Sequence, residues 1–100
     1  MNQQISLQHK ERFREIFLKL KIMSCSEYTF REIENLFYEA LSITRNYGND
    51  ANENPYLAEL KQMENKQYRL TQEKYRKSSQ RERVIKQFRN SFREKLQGWI

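Results

Sequence analysis

The C-terminal part of the chain carries apolar side chains at a spacing typical of a helix. Ile85, Phe88, Phe92, Leu96 and Trp99 follow one another at intervals of three, four, four and three residues. This spacing matches the 3.6-residue period of an α-helix and not the two-residue period of a strand. Glycine occurs twice and proline once, so the turns that a sheet needs are scarce. The chain is therefore predicted to be all-α.

Capping signals divide the rest of the chain into helices. Thr29 and Glu32 match a T-x-x-E capping box, in which each side chain satisfies a free backbone N–H of the first turn. Asn54 before Pro55 is typical of an N-cap followed by the first helical residue, and Gly48 is placed to end the preceding helix. These signals predict one domain, residues 1–100, that forms a small bundle of three to four helices at about 7–23, 30–47, 55–77 and 80–97.

The connection between the last two predicted helices has two interpretations. Ser79 and Glu82 match a second capping box, which favours a break near Ser78–Ser79. Serine discourages a helix only weakly, so one continuous helix from residue 55 to residue 97 is the alternative. In either case the third helix is expected to be long and basic.

The positive charge of the chain is concentrated in its second half. Residues 1–60 contain seven basic and nine acidic residues, whereas residues 61–95 contain twelve basic residues and four glutamates. Such segregation, with few Glu partners at i, i+4, is typical of surfaces that bind a phosphate backbone. The alternative interpretation is a solvated helix face that keeps the protein soluble.

The basic residues also follow a spatial pattern. Lys86, Arg89 and Arg93 fall within about 60° on a helical wheel, opposite Phe88 and Phe92. Three arginines, Arg69, Arg76 and Arg83, are spaced seven residues apart, and they form a row along one side of the helix if the helix is continuous. The sequence predicts sequence-independent contacts to the backbone of DNA or RNA by Arg69, Arg76, Lys77, Arg81, Arg83, Lys86, Arg89 and Arg93.

The aromatic residues allow two roles. Tyr68 and Tyr75 could stack on bases, but contacts between helices are the favoured interpretation. Phe92, Trp99 and Ile100 are predicted to contact another protein chain, either a different subunit or a second copy.

No pattern predicts an enzyme, a metal site, a cofactor or a small-molecule substrate. His9 is the one histidine, Cys25 is the one cysteine, and no motif supplies either with catalytic partners. A single cysteine and an N-terminus without an apolar stretch favour a cytoplasmic protein. The apolar stripe at 85–99 is needed for the core, so membrane binding is not expected.

Three stretches together resemble the small all-helical subunits of CRISPR-associated effector complexes of the Cascade type: TFREIENLFYEAL, EKYRKSSQRERVIKQFRNSFREKL and the C-terminal GWI. The resemblance implies a non-enzymatic role in antiviral defence, several copies in a larger nucleoprotein complex, and sequence-independent contact with nucleic acid. The alternative function is a small adaptor or phage-encoded inhibitor whose basic face binds an acidic protein surface.

Overall fold

The computed structural model describes residues 5–72 and 78–100, and the side chains of these residues except at positions 27, 70–72, 78 and 79. This part of the chain contains no strand, so the predicted all-α bundle is confirmed. A 3₁₀ turn, Arg45–Tyr47, follows the second of its four α-helices. The helices are α1 (Leu7–Ile22), α2 (Glu27–Thr44), α3 (Pro55–Gln72) and α4 (Ser78–Gln97).

Each helix runs antiparallel to its neighbours in the bundle. Trp99 at the end of α4 donates a hydrogen bond to Glu59 near the start of α3, and its ring packs on Phe13 in the first half of α1. On the other side, Arg12 of α1 binds Glu39 in the second half of α2. The pairs α1–α2, α2–α3, α3–α4 and α4–α1 all pack together, and α2 also reaches α4 across the centre. The result is an up-down-up-down arrangement.

Phe37 of α2 occupies the centre of the core. Its ring lies 5.3 Å from those of both Phe88 and Phe92, with nearly edge-to-face geometry, an arrangement that adds to the stabilisation from burial. Phe88 and Phe92 belong to the C-terminal stripe, so this stripe forms the α4 side of the core as predicted. The buried apolar residues are Ile5, Phe13, Ile16, Leu20, Phe30, Ile33, Leu36, Phe37, Ala40, Leu41, Leu57, Leu60, Met63, Ile85, Phe88, Phe92 and Leu96.

The start of α2 lies three residues earlier than predicted. Thr29 is the third helical residue and not the N-cap, because its hydroxyl accepts a hydrogen bond from the backbone N–H of Ser26, at 2.9 Å. The same hydroxyl donates to the carbonyl of Ser24, at 2.6 Å. Ser26 is therefore the N-cap, and the expected role of Thr29 and Glu32 was wrong. α1 agrees with its prediction, since Ser6 is its N-cap and accepts from the N–H of His9.

Asn54 joins the end of α2 to the start of α3. Its side-chain oxygen accepts from the N–H of Leu57, as expected of an N-cap. Its amide donates to the carbonyls of Thr44 and Gly48, at 2.8 and 2.9 Å, and the residue is almost fully buried. Gly48 supplies the positive φ, +126°, that turns the chain there. The polar loop at 48–54 therefore buries the side chain of Asn54.

α3 and α4 are separate helices that pack against each other. Within the described residues α4 begins at Ser78, and its predicted start was residue 80, so Ser79 lies inside the helix and is not its N-cap. α3 extends to Gln72, and residues 73–77 of its predicted range lie outside the described residues. Between its bounds α3 carries three basic residues and two glutamates, so the long basic third helix is not confirmed.

Candidate nucleic-acid interface

Three basic residues of α1 share one exposed flank of the helix. Lys10, Arg14 and Lys21 lie within about 40° on a helical wheel, and all three are exposed. Arg12, which binds Glu39 of α2, lies on the opposite flank of α1. Lys10, Arg14 and Lys21 therefore line the side of α1 that faces α4.

Three basic residues of α4 face α1 and the solvent. Arg83, Lys86 and Arg93 lie within about 80° on the helical wheel. Arg83 and Lys86 are exposed, and Arg93 is half-buried. An open groove of about 490 Å³ places Arg83 and Lys86 beside Met23 and Cys25, which follow α1. The six cations on both sides of the α1–α4 contact, here called the basic strip, are Lys10, Arg14, Lys21, Arg83, Lys86 and Arg93.

The cations of the basic strip form no ion pair with any described residue. Within the described part of the chain, the ion pairs shorter than 4 Å are those of Arg12 with Glu15 and with Glu39, and Arg12 lies outside the strip. Glu82 is the acidic residue that shares the groove with Arg83 and Lys86. The strip therefore keeps a large excess of positive charge, which favours binding of a polyanion.

The α1 part of the strip was not predicted, because the charge count over residues 1–60 is slightly negative. Two of the nine acidic residues in 1–60, Glu15 and Glu39, form ion pairs with Arg12. The hydrogen bond from Arg12 keeps the pKa of Glu39 below its ordinary value. A helical wheel of residues 7–22 is the signal that finds the three cations, since it groups them within about 40° and places Glu15 about 100° or more away from them.

Arg89 points into the protein, contrary to its predicted place on the outward face. Its exposed fraction is 8%. Its guanidinium donates to the carbonyls of Leu20 and Met23, at 2.8 and 3.0 Å, and its Nε donates to Asn90. The cationic group thus satisfies carbonyls at the C-terminus of α1, where the helix dipole favours positive charge. Arg89 stabilises the α1–α4 contact, and its Nε and Nη1 donors are engaged within the protein.

Arg81 is also buried, with an exposed fraction of 4%. Its guanidinium carbon lies 5.7 Å from the centre of the Phe30 ring, within the range of a cation–π interaction. Arg81 therefore joins the start of α4 to the start of α2. The predicted contact of Arg81 with a nucleic-acid backbone would require this residue to leave the core.

The remaining predicted cations do not form the expected row. Arg69 is exposed on α3, whereas Arg83 belongs to α4, which runs in the opposite direction. A straight row with a seven-residue period is therefore excluded. Arg76 and Lys77 lie outside the described residues.

The predicted protein interface lies largely inside the bundle. Phe92 is fully buried. The Trp99 ring packs on Phe13 and on Tyr56, at 5.3 and 5.4 Å between centres, and its N–H donates to Glu59. Phe92 and Trp99 therefore hold helices of the same chain together, and Phe92 has no exposed surface for the predicted contact with another protein chain. Ile100 is 36% exposed at the same end.

Tyr68 is exposed, although a contact between helices was favoured for it. Its exposed fraction is 63%. The neighbouring residue Gln67 makes the contact to α2, where its amide donates to the hydroxyl of Tyr38 at 2.8 Å. Tyr68 belongs to α3, whereas the basic strip lies on α1 and α4. Tyr75 is outside the described residues.

Comparison with known proteins gives no family assignment. The chain matches no protein-family model, and no curated protein or solved structure matches it significantly. None of the helices, as far as their residues are described, is long and apolar enough to cross a membrane. The described residues also contain no cluster of His, Cys, Asp and Glu suited to hold a metal ion.

Proposed function

We propose that the protein binds the phosphate backbone of a nucleic acid, DNA or RNA, through the basic strip. The observation that carries this proposal is the alignment of six cations along the α1–α4 contact without an ion pair to any described residue. Lysine and arginine contacts to phosphates release counterions and give affinity without sequence preference. Binding, and not catalysis, is the proposed activity.

The strip revises the set of residues predicted from the sequence, in which Arg76 and Lys77, outside the described residues, stay predictions. Arg83, Lys86 and Arg93 remain in the proposed site, and Lys10, Arg14 and Lys21 join them. Arg81 and Arg89 leave it because their guanidinium groups are engaged in the interior. Arg69 is exposed on α3 and does not belong to the strip.

The length of the strip suits a short stretch of backbone. On α4, Arg83 and Arg93 are ten residues apart, a rise of about 15 Å along the helix. On α1, Lys10 and Lys21 are eleven residues apart, a rise of about 16 Å. Packed helices lie about 8–10 Å apart, so the two rows of cations run side by side along the α1–α4 contact.

The wider role that we propose is that of a small subunit in a larger nucleoprotein complex, in the cytoplasm. The resemblance to small CRISPR effector subunits adds antiviral defence and several copies per complex to this proposal. The basic strip supports nucleic-acid contact within such a complex, and the partner subunits are to be identified by copurification from the host.

The test is fluorescence anisotropy of a labelled 30-nucleotide single strand and its duplex, at two salt concentrations. We expect Arg83→Gln/Lys86→Gln to weaken binding and to reduce the slope of log K against log salt. The expected reduction is about 1.4 for the single strand and about 1.8 for the duplex, from roughly 0.7 and 0.9 per lost contact. Arg14→Gln/Lys21→Gln should behave alike, although these residues lie on another helix.

The matched control is Arg31→Gln/Lys61→Gln. Both residues are exposed, they lie on α2 and α3, and their loss changes the net charge by the same amount. Equal effects of the control and the strip variants would show that net charge alone drives binding, and would contradict the proposed site. Absence of binding by the wild type at low salt would refute nucleic-acid binding and favour the acidic protein partner.

A further inference from the structure

The outer face of α1 exposes aliphatic side chains that no described residue covers. Leu7, Leu18 and Ile22 are 73%, 51% and 87% exposed. On a helical wheel these three residues lie within about 60° of one another, opposite the buried Ile16 and Leu20. Single exposed aliphatic residues are common, but an aligned set on one helix is typical of a contact surface.

Two opposite charges lie between the leucines on the same face. Glu11 and Arg14 are within about 40° of Leu18 on the wheel, and both are exposed. Neither forms an ion pair with a described residue. Along the helix the order is therefore leucine, acid, base, leucine, at positions 7, 11, 14 and 18.

This order is complementary to itself when it is read in the opposite direction. If two α1 helices pack antiparallel with their centres between residues 12 and 13, Leu7 lies opposite Leu18 of the second copy. In the same register, Glu11 lies opposite Arg14 of the second copy. A two-fold axis then produces each of these contacts twice, as an isologous interface requires. We propose that two copies of the chain associate through this face of α1.

Charge distinguishes this arrangement from a parallel one. A parallel pair in register would place Glu11 against Glu11 and Arg14 against Arg14, and like charges in contact are unfavourable. The interface is short, since Leu7 and Leu18 are about 16 Å apart along the helix. We therefore expect a weak dimer that exchanges rapidly, and the test is chosen to detect such a species. This inference does not depend on nucleic-acid binding.

The first experiment uses disulfide trapping in a Cys25→Ser background. Leu7→Cys and Leu18→Cys chains are oxidised separately and as a mixture. The antiparallel register predicts crosslinked dimers in the mixture and little crosslinking of either variant alone, because two copies of residue 18 lie about 16 Å apart. Crosslinking of Leu18→Cys alone in preference to the mixture, or no crosslinking at all, would overturn the proposal.

The second experiment measures molecular mass by sedimentation equilibrium at increasing protein concentration. Glu11→Arg should reduce association, because it places arginines opposite each other, and Glu11→Arg/Arg14→Glu should restore it by exchanging the charges. Tyr28→Ser is the control, since Tyr28 is 95% exposed but lies on α2. A wild type that stays monomeric throughout, or a double variant that associates no better than Glu11→Arg, would contradict the proposed interface.

Discussion

Replacing Arg89 by methionine separates a structural role from a ligand-binding role. The substitution keeps most of the aliphatic volume but removes the donors to Leu20 and Met23. Hydrogen bonds from a charged donor contribute about 1.5–3 kcal/mol each, and carbonyls left without a partner in a buried place add to the loss. Part of this loss is recovered if water reaches the carbonyls. We therefore expect Arg89→Met to lower the free energy of unfolding by about 2–4 kcal/mol.

The assay is urea denaturation followed by circular dichroism, with nucleic-acid binding measured at a temperature where the variant stays folded. Arg93→Met is the matched control, because Arg93 lies one turn further along α4 and is half-buried. Its effect on stability should stay within about 0.5 kcal/mol, whereas it should weaken binding. If Arg89→Met instead leaves stability unchanged and weakens binding as Arg93→Met does, then Arg89 faces the ligand and the assignment is refuted.

Two further predictions concern the connections between helices. Asn54→Ala removes the N-cap of α3 and two hydrogen bonds to the end of α2, and denaturation should show a loss of about 2–3 kcal/mol. The exposed Asn52→Ala, in the same loop, should change little. Because the pKa of Glu39 is lowered by Arg12, this pair stabilises the fold above the ordinary pKa of a glutamate and ceases to do so as the pH falls through the lowered value. Glu39→Gln should therefore reduce the loss of unfolding free energy that occurs as the pH falls below about 5. The reduction should not exceed about 1 kcal/mol, because the Arg12–Glu39 pair is partly exposed. An unchanged dependence of stability on pH would contradict this role.

The sequence predicted the elements whose signals are local. The apolar stripe from Ile85 to Trp99 predicted which side of α4 faces the core. Asn54 before Pro55 predicted the start of α3. Both signals depend only on residues close together in the sequence. The start of α2 was misplaced because Thr29 and Ser26 are both good capping residues. The choice between them depends on the turn after α1, where the Ser24 carbonyl accepts from Thr29.

The site was harder to predict, because a charge count does not say where a side chain points. Arg89 and Arg93 are four residues apart on α4 and look equivalent in the sequence. They differ because the free carbonyls at the end of α1 lie within hydrogen-bonding distance of Arg89, so Arg89 points inward. Lys21 illustrates the converse case, since it belongs to residues 1–60, which carry no net positive charge, but lies on the side of α1 that faces α4.

The two proposals make a joint prediction that neither makes alone. In an antiparallel pair of α1 helices, the two-fold axis keeps the α4-facing flanks of both copies on one side of the dimer. The two basic strips would then form one surface, with Lys10 and Arg14 of both chains nearest its middle. Repulsion between these cations weakens the free dimer, and a bound polyanion removes it. We therefore expect a 30-nucleotide strand to increase the crosslinking of mixed Leu7→Cys and Leu18→Cys chains at low salt, and Lys10→Gln to make crosslinking less dependent on the strand. Crosslinking that is unaffected by the strand would show that dimerisation and nucleic-acid binding are not coupled.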